Sequence, residues 1–137
     1  MPSQGQTYPP LLAMFASVLF PIDRSRQARE TAAVALQLVQ QHNSQLVLLS
    51  VVEPEQDDPG EVARLLQEAK ASFEQAGVAC RVIEREGKPA FVIGDVADEI
   101  NADVIVMGTR GITLENDHES TAARVIQLAP CPVLVVP

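Results

Sequence analysis

The stretch that most constrains how this chain can fold is residues 103–111, DVIVMGTRG. Val104, Ile105 and Val106 form a short apolar run rich in β-branched side chains, the signature of a strand buried on both faces, as in a parallel sheet. The run ends in glycine. Gly108 and Gly111 bracket Thr109 and Arg110, so the backbone leaving the strand can take left-handed angles and turn its amides toward a ligand. Such a loop suits phosphate, although a GxxG pair also serves to end a strand and nothing more.

The other segments fall into place around this strand. Residues 17–22, SVLFPI, are a second short apolar run that stops at Pro21 and Ile22, with Asp23 directly after it. From Ser25, a natural N-cap, the spacing turns helical, with Ala28, Ala32, Ala35, Leu36 and Val39 on one face. Asn43 and Ser44 end that helix, and residues 46–52 read as another buried strand. The acidic EPEQDDPG segment that follows reads as a solvated crossover loop. A second helix is expected over residues 61–75, with Val62, Leu65, Leu66, Ala69 and Phe73 inward and Gly77 as its C-cap. Residues 78–84 alternate more than the other strands and are placed at a sheet edge. Gly87, Lys88 and Pro89 turn the chain into a third helix with Phe91, Val92, Val96 and Ile100 inside. A polar loop, a helix over residues 121–128 and a last strand over 133–136 complete the chain.

Strand and helix alternate throughout, which predicts an α/β fold with a doubly wound five-stranded parallel sheet and right-handed crossovers. Ligands in such sheets sit beyond the carboxyl ends of the strands where the winding reverses. Asp23 and Gly108 stand at two such ends, and one crevice holds both if their strands are neighbours.

Composition narrows the function classes. At 137 residues and 14.8 kDa the chain suffices for one domain with one core. A net charge of -8 with scattered Lys and Arg disfavours nucleic acid and anionic membranes, whose binding needs clustered cations. Cys80 and Cys131 lie far apart with no CxxC and no His at ligand spacing, so reduced thiols are expected and neither a zinc site nor a cysteine nucleophile is. No apolar run is long enough to span a bilayer, and the first residues lack the basic start of a signal peptide, which points to the cytoplasm. Residues 1–13, with Pro2, Gly5, Pro9 and Pro10, are expected to be a flexible arm before a domain at 14–137. No acid, base and nucleophile converge at a workable spacing, so no catalysis is expected.

Five motifs, VLFPIDRS, LLSVVEP, GKPA, ADVIVMGTRG and APCPVLVVP, together resemble the universal stress protein family in order and spacing over almost the whole chain from Met14. The resemblance implies a single domain of the flavodoxin-like order 3-2-1-4-5 found in adenine nucleotide alpha hydrolase-like proteins. It also implies a homodimer paired through residues 133–136, a role in stress response with a protein partner unknown, and an adenine nucleotide in the crevice. By position, Pro21, Ile22 and Asp23 would line the adenine and ribose, and Val51 would present backbone groups to the adenine. Gly108, Arg110 and Gly111 would form the first half of the phosphate loop, and Ser120 would supply the hydroxyl at the start of the last helix.

The sequence departs from the family pattern in that loop. Glu119 stands where a glycine is expected, and seven residues separate it from Gly111 where the pattern has nine. Losing a charge-assisted backbone hydrogen bond to phosphate costs roughly 1.5 to 3 kcal/mol. A carboxylate about 6 Å from a phosphate charge adds repulsion on the order of 2 to 3 kcal/mol at an effective dielectric near 20. Adenosine monophosphate, or no nucleotide, is therefore favoured over ATP. The bland alternatives stay open: Asp23 as an Asx turn, Arg110 as a solvated charge and Ser120 as an N-cap alone. Glu115, Asp117, His118 and Glu119 read as a solvated acidic loop before a metal site, and His42 as a residue that caps a helix dipole.

Overall fold

The structure, a computed structural model, describes residues 15–22, 28–108 and 121–137. Its strands are β1 (Ser17–Pro21), β2 (Gln45–Val52), β3 (Cys80–Glu86), β4 (Val104–Gly108) and β5 (Val133–Val136). Its helices are α1 (Ala28–His42), α2 (Pro59–Gln75), α3 (Pro89–Glu99) and α4 (Thr121–Leu128). The strands form one parallel sheet in the order β3-β2-β1-β4-β5, so the chain winds outward in two directions from the β1–β4 pair.

Period-2 alternation of the apolar strands fills both faces of the sheet. Val18, Phe20, Leu46, Leu48, Val104 and Val106 pack with Ala35 and Val39 of α1 and Leu66 and Phe73 of α2. Leu19, Val47, Leu49, Ile105 and Met107 pack with Ile93 and Val96 of α3 and Val125 of α4. That arrangement explains why β2 and β4 read as unbroken apolar runs: each alternate residue has a helix to meet.

The helix boundaries follow from local chemistry. Asn43 takes a positive φ of 52° and closes α1. α2 begins at Pro59, two residues before the expected start, because the Asp58 carboxylate accepts the Gly60 amide at 3.0 Å and Pro59 needs no partner for an N–H. Ala76 is the C-cap, and Gly77, at φ +86°, is the residue after it. β3 begins at Cys80, not at residue 78, because the Val78 amide still bonds the Phe73 carbonyl at 2.9 Å and its side chain tucks under α2.

One expected core residue is outside. Phe91 is 51% exposed, whereas Ala90, Ile93, Val96 and Ala97 are buried in α3. The buried stripe returns at intervals of three and four residues from Ala90, and Phe91 is turned about 100° away from it. The sequence reading weighted size over phase; the small Ala90 and Ala97 are what face the sheet.

A carboxylate ties the two central strands together at their amino ends. The Ser17 amide donates to Asp103 Oδ2 at 2.8 Å, and the Asp103 amide donates to the Ser17 carbonyl at 2.8 Å. This pair sets the register Val18↔Val104 that everything above it inherits. Asp103→Ala is expected to lower stability in urea denaturation by about 1.5 to 3 kcal/mol, the range for a hydrogen bond to a charged group.

Candidate functional site

The end of the β1–β4 pairing originates in the backbone of Pro21. Ile22 donates its amide to the Leu49 carbonyl at 2.7 Å, so Ile22 faces β2 and, by alternation, Pro21 faces β4. Proline has no N–H to give on that side. Pairing of β1 with β4 accordingly ends at Leu19↔Ile105, although β4 runs on through Gly108. Above that register the ladder pairing stops, and this gap in the pairing lies at the carboxyl ends where the winding reverses.

Val51 forms the opposite wall. β1 pairs with β2 only as far as Pro21↔Leu49, while β2 continues to Val52. The Leu49 carbonyl points toward β1, and the Val52 carbonyl, which accepts the Gly87 amide at 3.0 Å, points toward β3. By the same alternation the Val51 N–H and C=O project to the β1 side, beyond the last β1–β2 pair, Pro21↔Leu49. Among the described residues no strand neighbour stands there. One donor and one acceptor, spaced as on any peptide, thus face the gap.

The acidic segment after β2 is solvent-exposed at residues 54–56, as expected, and residues 53–57 also close on themselves: Gln56 and Asp57 amides both donate to the Glu53 carbonyl at 3.0 Å, and the Glu53 amide donates to Asp57 Oδ2 at 2.8 Å. Nothing in the sequence analysis marks Asp57; its signal is an Asp five residues after a strand end and just before a proline-started helix. Gly87 was singled out only as a turn. At φ +143° it fixes the β3–α3 turn against the tip of β2, and a Cβ there would lie 2.7 Å from Val92 Cγ2.

Of the eight residues selected from sequence, the structure brings Pro21, Ile22, Val51 and Gly108 to the same end of the sheet, all partly buried. Asp23, Arg110, Gly111 and Ser120 lie outside the described residues, as do Glu119 and the acidic cluster around it. Gly108 pairs with Val136 at the top of β4, beside the gap. Neither cysteine belongs to this site. Burial, and then the charge of Glu74, pushes the Cys80 thiol up, and burial, and then Asp103, does the same for Cys131. Cys80 begins β3 and Cys131 precedes β5 by two residues, and both are free, partly buried thiols of reduced reactivity. Among the described residues no three of His, Cys, Asp and Glu gather as a metal site, and no helix is long and apolar enough to cross a membrane.

The fold defines the class: a doubly wound α/β domain whose winding reverses at the β1–β4 pair. The chain matches the Universal stress protein family over residues 14–137. It is 56% identical over 136 residues to a universal stress protein of Synechocystis sp., covering 90% of this chain and 87% of that one. The chain belongs to the universal stress protein family. Its fold is similar to that of a universal stress protein in complex with cAMP, at a TM-score of 0.73 and 24% identity, covering 89% of this chain and 96% of the other. It is also similar to the Archaeoglobus fulgidus universal stress protein in complex with dAMP, at a TM-score of 0.74 and 19% identity, covering 90% and 99%.

Proposed function

We propose that this protein is a regulatory domain of the stress response that binds an adenine nucleotide in the β1–β4 crevice and acts as a homodimer in the cytoplasm, without catalysing a reaction. The observation that carries this reading is the aim of the Val51 peptide. A carbonyl acceptor and an amide donor on one side of a strand end match the adenine edge, which offers an amino donor beside a ring-nitrogen acceptor. Pro21 and Ile22 supply apolar walls for the base, and the proteins with cAMP and dAMP share the fold. Asp23 is assigned to the sugar or base edge. Gly108, Arg110, Gly111 and Ser120 are assigned to phosphate, with Glu119 favouring one phosphate over three. No metal is required for such binding.

Mass spectrometry of protein denatured after mild purification tests the reading. A stoichiometric adenine nucleotide, or a stabilisation of about 2.7 kcal/mol at a ligand concentration a hundredfold above Kd, supports it. An empty protein that no adenine nucleotide stabilises overturns it and leaves a dimeric interaction protein with a vestigial crevice.

The dimer reading rests on the contrast between the two sheet edges. β3 carries exposed Arg81, Glu84, Arg85 and Glu86, and a two-pronged Arg85–Glu99 ion pair, at 2.9 and 3.0 Å, braces it to α3. Charges of this kind discourage strand addition. β5 offers Val133, Leu134, Val135 and Val136 with no charge, and Leu134 is 39% exposed. Leu134→Lys is expected to weaken the dimer at least about tenfold in sedimentation at micromolar concentration, because it places like charges across a two-fold axis. A stable monomer indifferent to that substitution removes the dimer from the proposal.

A further inference from the structure

We propose that the outer face of α3, with the neighbouring end of α4, is a docking surface for a cationic amphipathic helix of another protein. Helical spacing draws the face. Phe91, Asp95 and Asp98 follow one another at intervals of four and three residues, so they form one stripe, and all three are exposed. Phe91 is 51% exposed, and Leu128, the last residue of α4, is 44% exposed. Gly94 joins the two. It lies one turn from Phe91, and a Cβ there would stand 3.7 Å from the Leu128 carbonyl, so α3 meets the end of α4 at a residue with no side chain. Gly94 is itself partly exposed, which leaves a shallow furrow beside Phe91 and Leu128.

The charges on α3 run against its own dipole. A helix gains from acids in its first turn and cations in its last. α3 has neither; it starts after Lys88, which makes no side-chain cap, and carries Asp95, Asp98 and Glu99 in its second half. Arg85 holds Glu99 in a two-pronged ion pair and reaches Asp95 only through its longer-range field. Among the described residues no ion pair involves Asp95 or Asp98. Two such carboxylates one turn apart, toward the negative end of a helix, work against the isolated domain. A cationic partner reverses that cost. Its Lys or Arg side chains meet the carboxylates and the helix end, while its apolar anchors cover Phe91 and Leu128.

The same features select the occupant. A second copy docked by this face would bring Asp95 and Asp98 of both copies together around a two-fold axis. Nucleic acid and anionic membranes are repelled by those carboxylates. A helix with apolar anchors three or four residues apart matches the period of the α3 stripe. Arg124, exposed on α4 one turn before Leu128, keeps the partner's cations on the α3 side.

A synthetic peptide with Leu and Lys at helical spacing and a single Trp serves as the probe, because the protein has no tryptophan and peptide emission is read alone. At one fixed salt concentration and without nucleotide, Phe91→Ser is expected to weaken binding about tenfold, and Asp95→Asn with Asp98→Asn by about as much. Glu55→Gln with Glu86→Gln removes the same charge from exposed positions elsewhere and should cost less than about twofold. All these side chains except Glu55 and Glu86 lie on the proposed face, and all are exposed, so far-ultraviolet circular dichroism should not change. A peptide with Glu in place of Lys should not bind. Equal weakening by the two charge pairs overturns the proposal, since the attraction is then general to an acidic protein. Absence of binding, or an affinity indifferent to Phe91→Ser, overturns it as well. A change of oligomeric state on Phe91→Ser, read by sedimentation, also overturns it, because the occupant is then a second copy.

Discussion

Gly87→Ala is expected to destabilise the protein by about 2 to 5 kcal/mol, the sum of backbone strain at a disfavoured φ and overpacking against a neighbour. Both causes are visible at one residue. Its φ of +143° lies where side chains are rarely tolerated, and the added methyl would lie 2.7 Å from Val92 Cγ2. The two causes separate in a double-mutant cycle. Val92→Ala alone costs about 1 to 2 kcal/mol by the methyl groups it removes from partly buried surface. Combined with Gly87→Ala it relieves the clash and leaves the φ strain, so the pair should couple favourably by about 1 to 3 kcal/mol in urea denaturation. Strict additivity would mean that the turn moves instead of clashing. Because the Gly87 amide holds the Val52 carbonyl, a turn that moves also carries the tip of β2 and Val51 with it. Adenine-nucleotide affinity in Gly87→Ala should then fall, and Val92→Ala should not restore it.

The fold was legible because its strands are buried on both faces. A run such as LVLLSVV, with Ser50 its one polar residue, shows no alternation that would mark a solvent-facing side, so it dictates helices above and below and hence a parallel, doubly wound sheet. The helices α4 and the strand β5 fell where periodicity placed them, bounded by Pro130 and Pro132. Phase was harder than period. In α3, Phe91 and Ala90 are adjacent, and only the packing decides that the smaller one is inside. Long-range partners were harder still. Nothing in the sequence says that Asp103 will receive the Ser17 amide across 86 residues, because that bond exists only once β1 and β4 are neighbours. The same holds for Val51: its residue type is irrelevant to its assignment, since what matters is which side of β2 its peptide faces and where β1 stops. Pro21 is selected by resemblance alone, and the structure adds beside it only that Pro21 has no N–H to extend the β1–β4 ladder beyond Leu19↔Ile105.

Glu119→Gly is expected to tighten ATP by about one to two orders of magnitude and adenosine monophosphate by less, while Asp23→Ala weakens both nucleotides alike. The argument follows from which part of the ligand each residue is assigned to meet. At the expected glycine position of the phosphate loop, a glutamate adds a negative charge and a Cβ where a backbone amide would otherwise approach an anion. Each further phosphate on the ligand multiplies the repulsion, so relieving it must favour the longer chain. Asp23 is assigned to the sugar or base, which the two nucleotides share, so its loss cannot distinguish them. The two substitutions therefore differ in sign and in dependence on phosphate number, which no general loss of stability would imitate. Titration calorimetry of both variants against both nucleotides, at one salt concentration because screening scales the effect, reads all four values. A native protein that binds ATP as tightly as Glu119→Gly does would place the Glu119 carboxylate away from the phosphates and remove the basis for expecting a monophosphate.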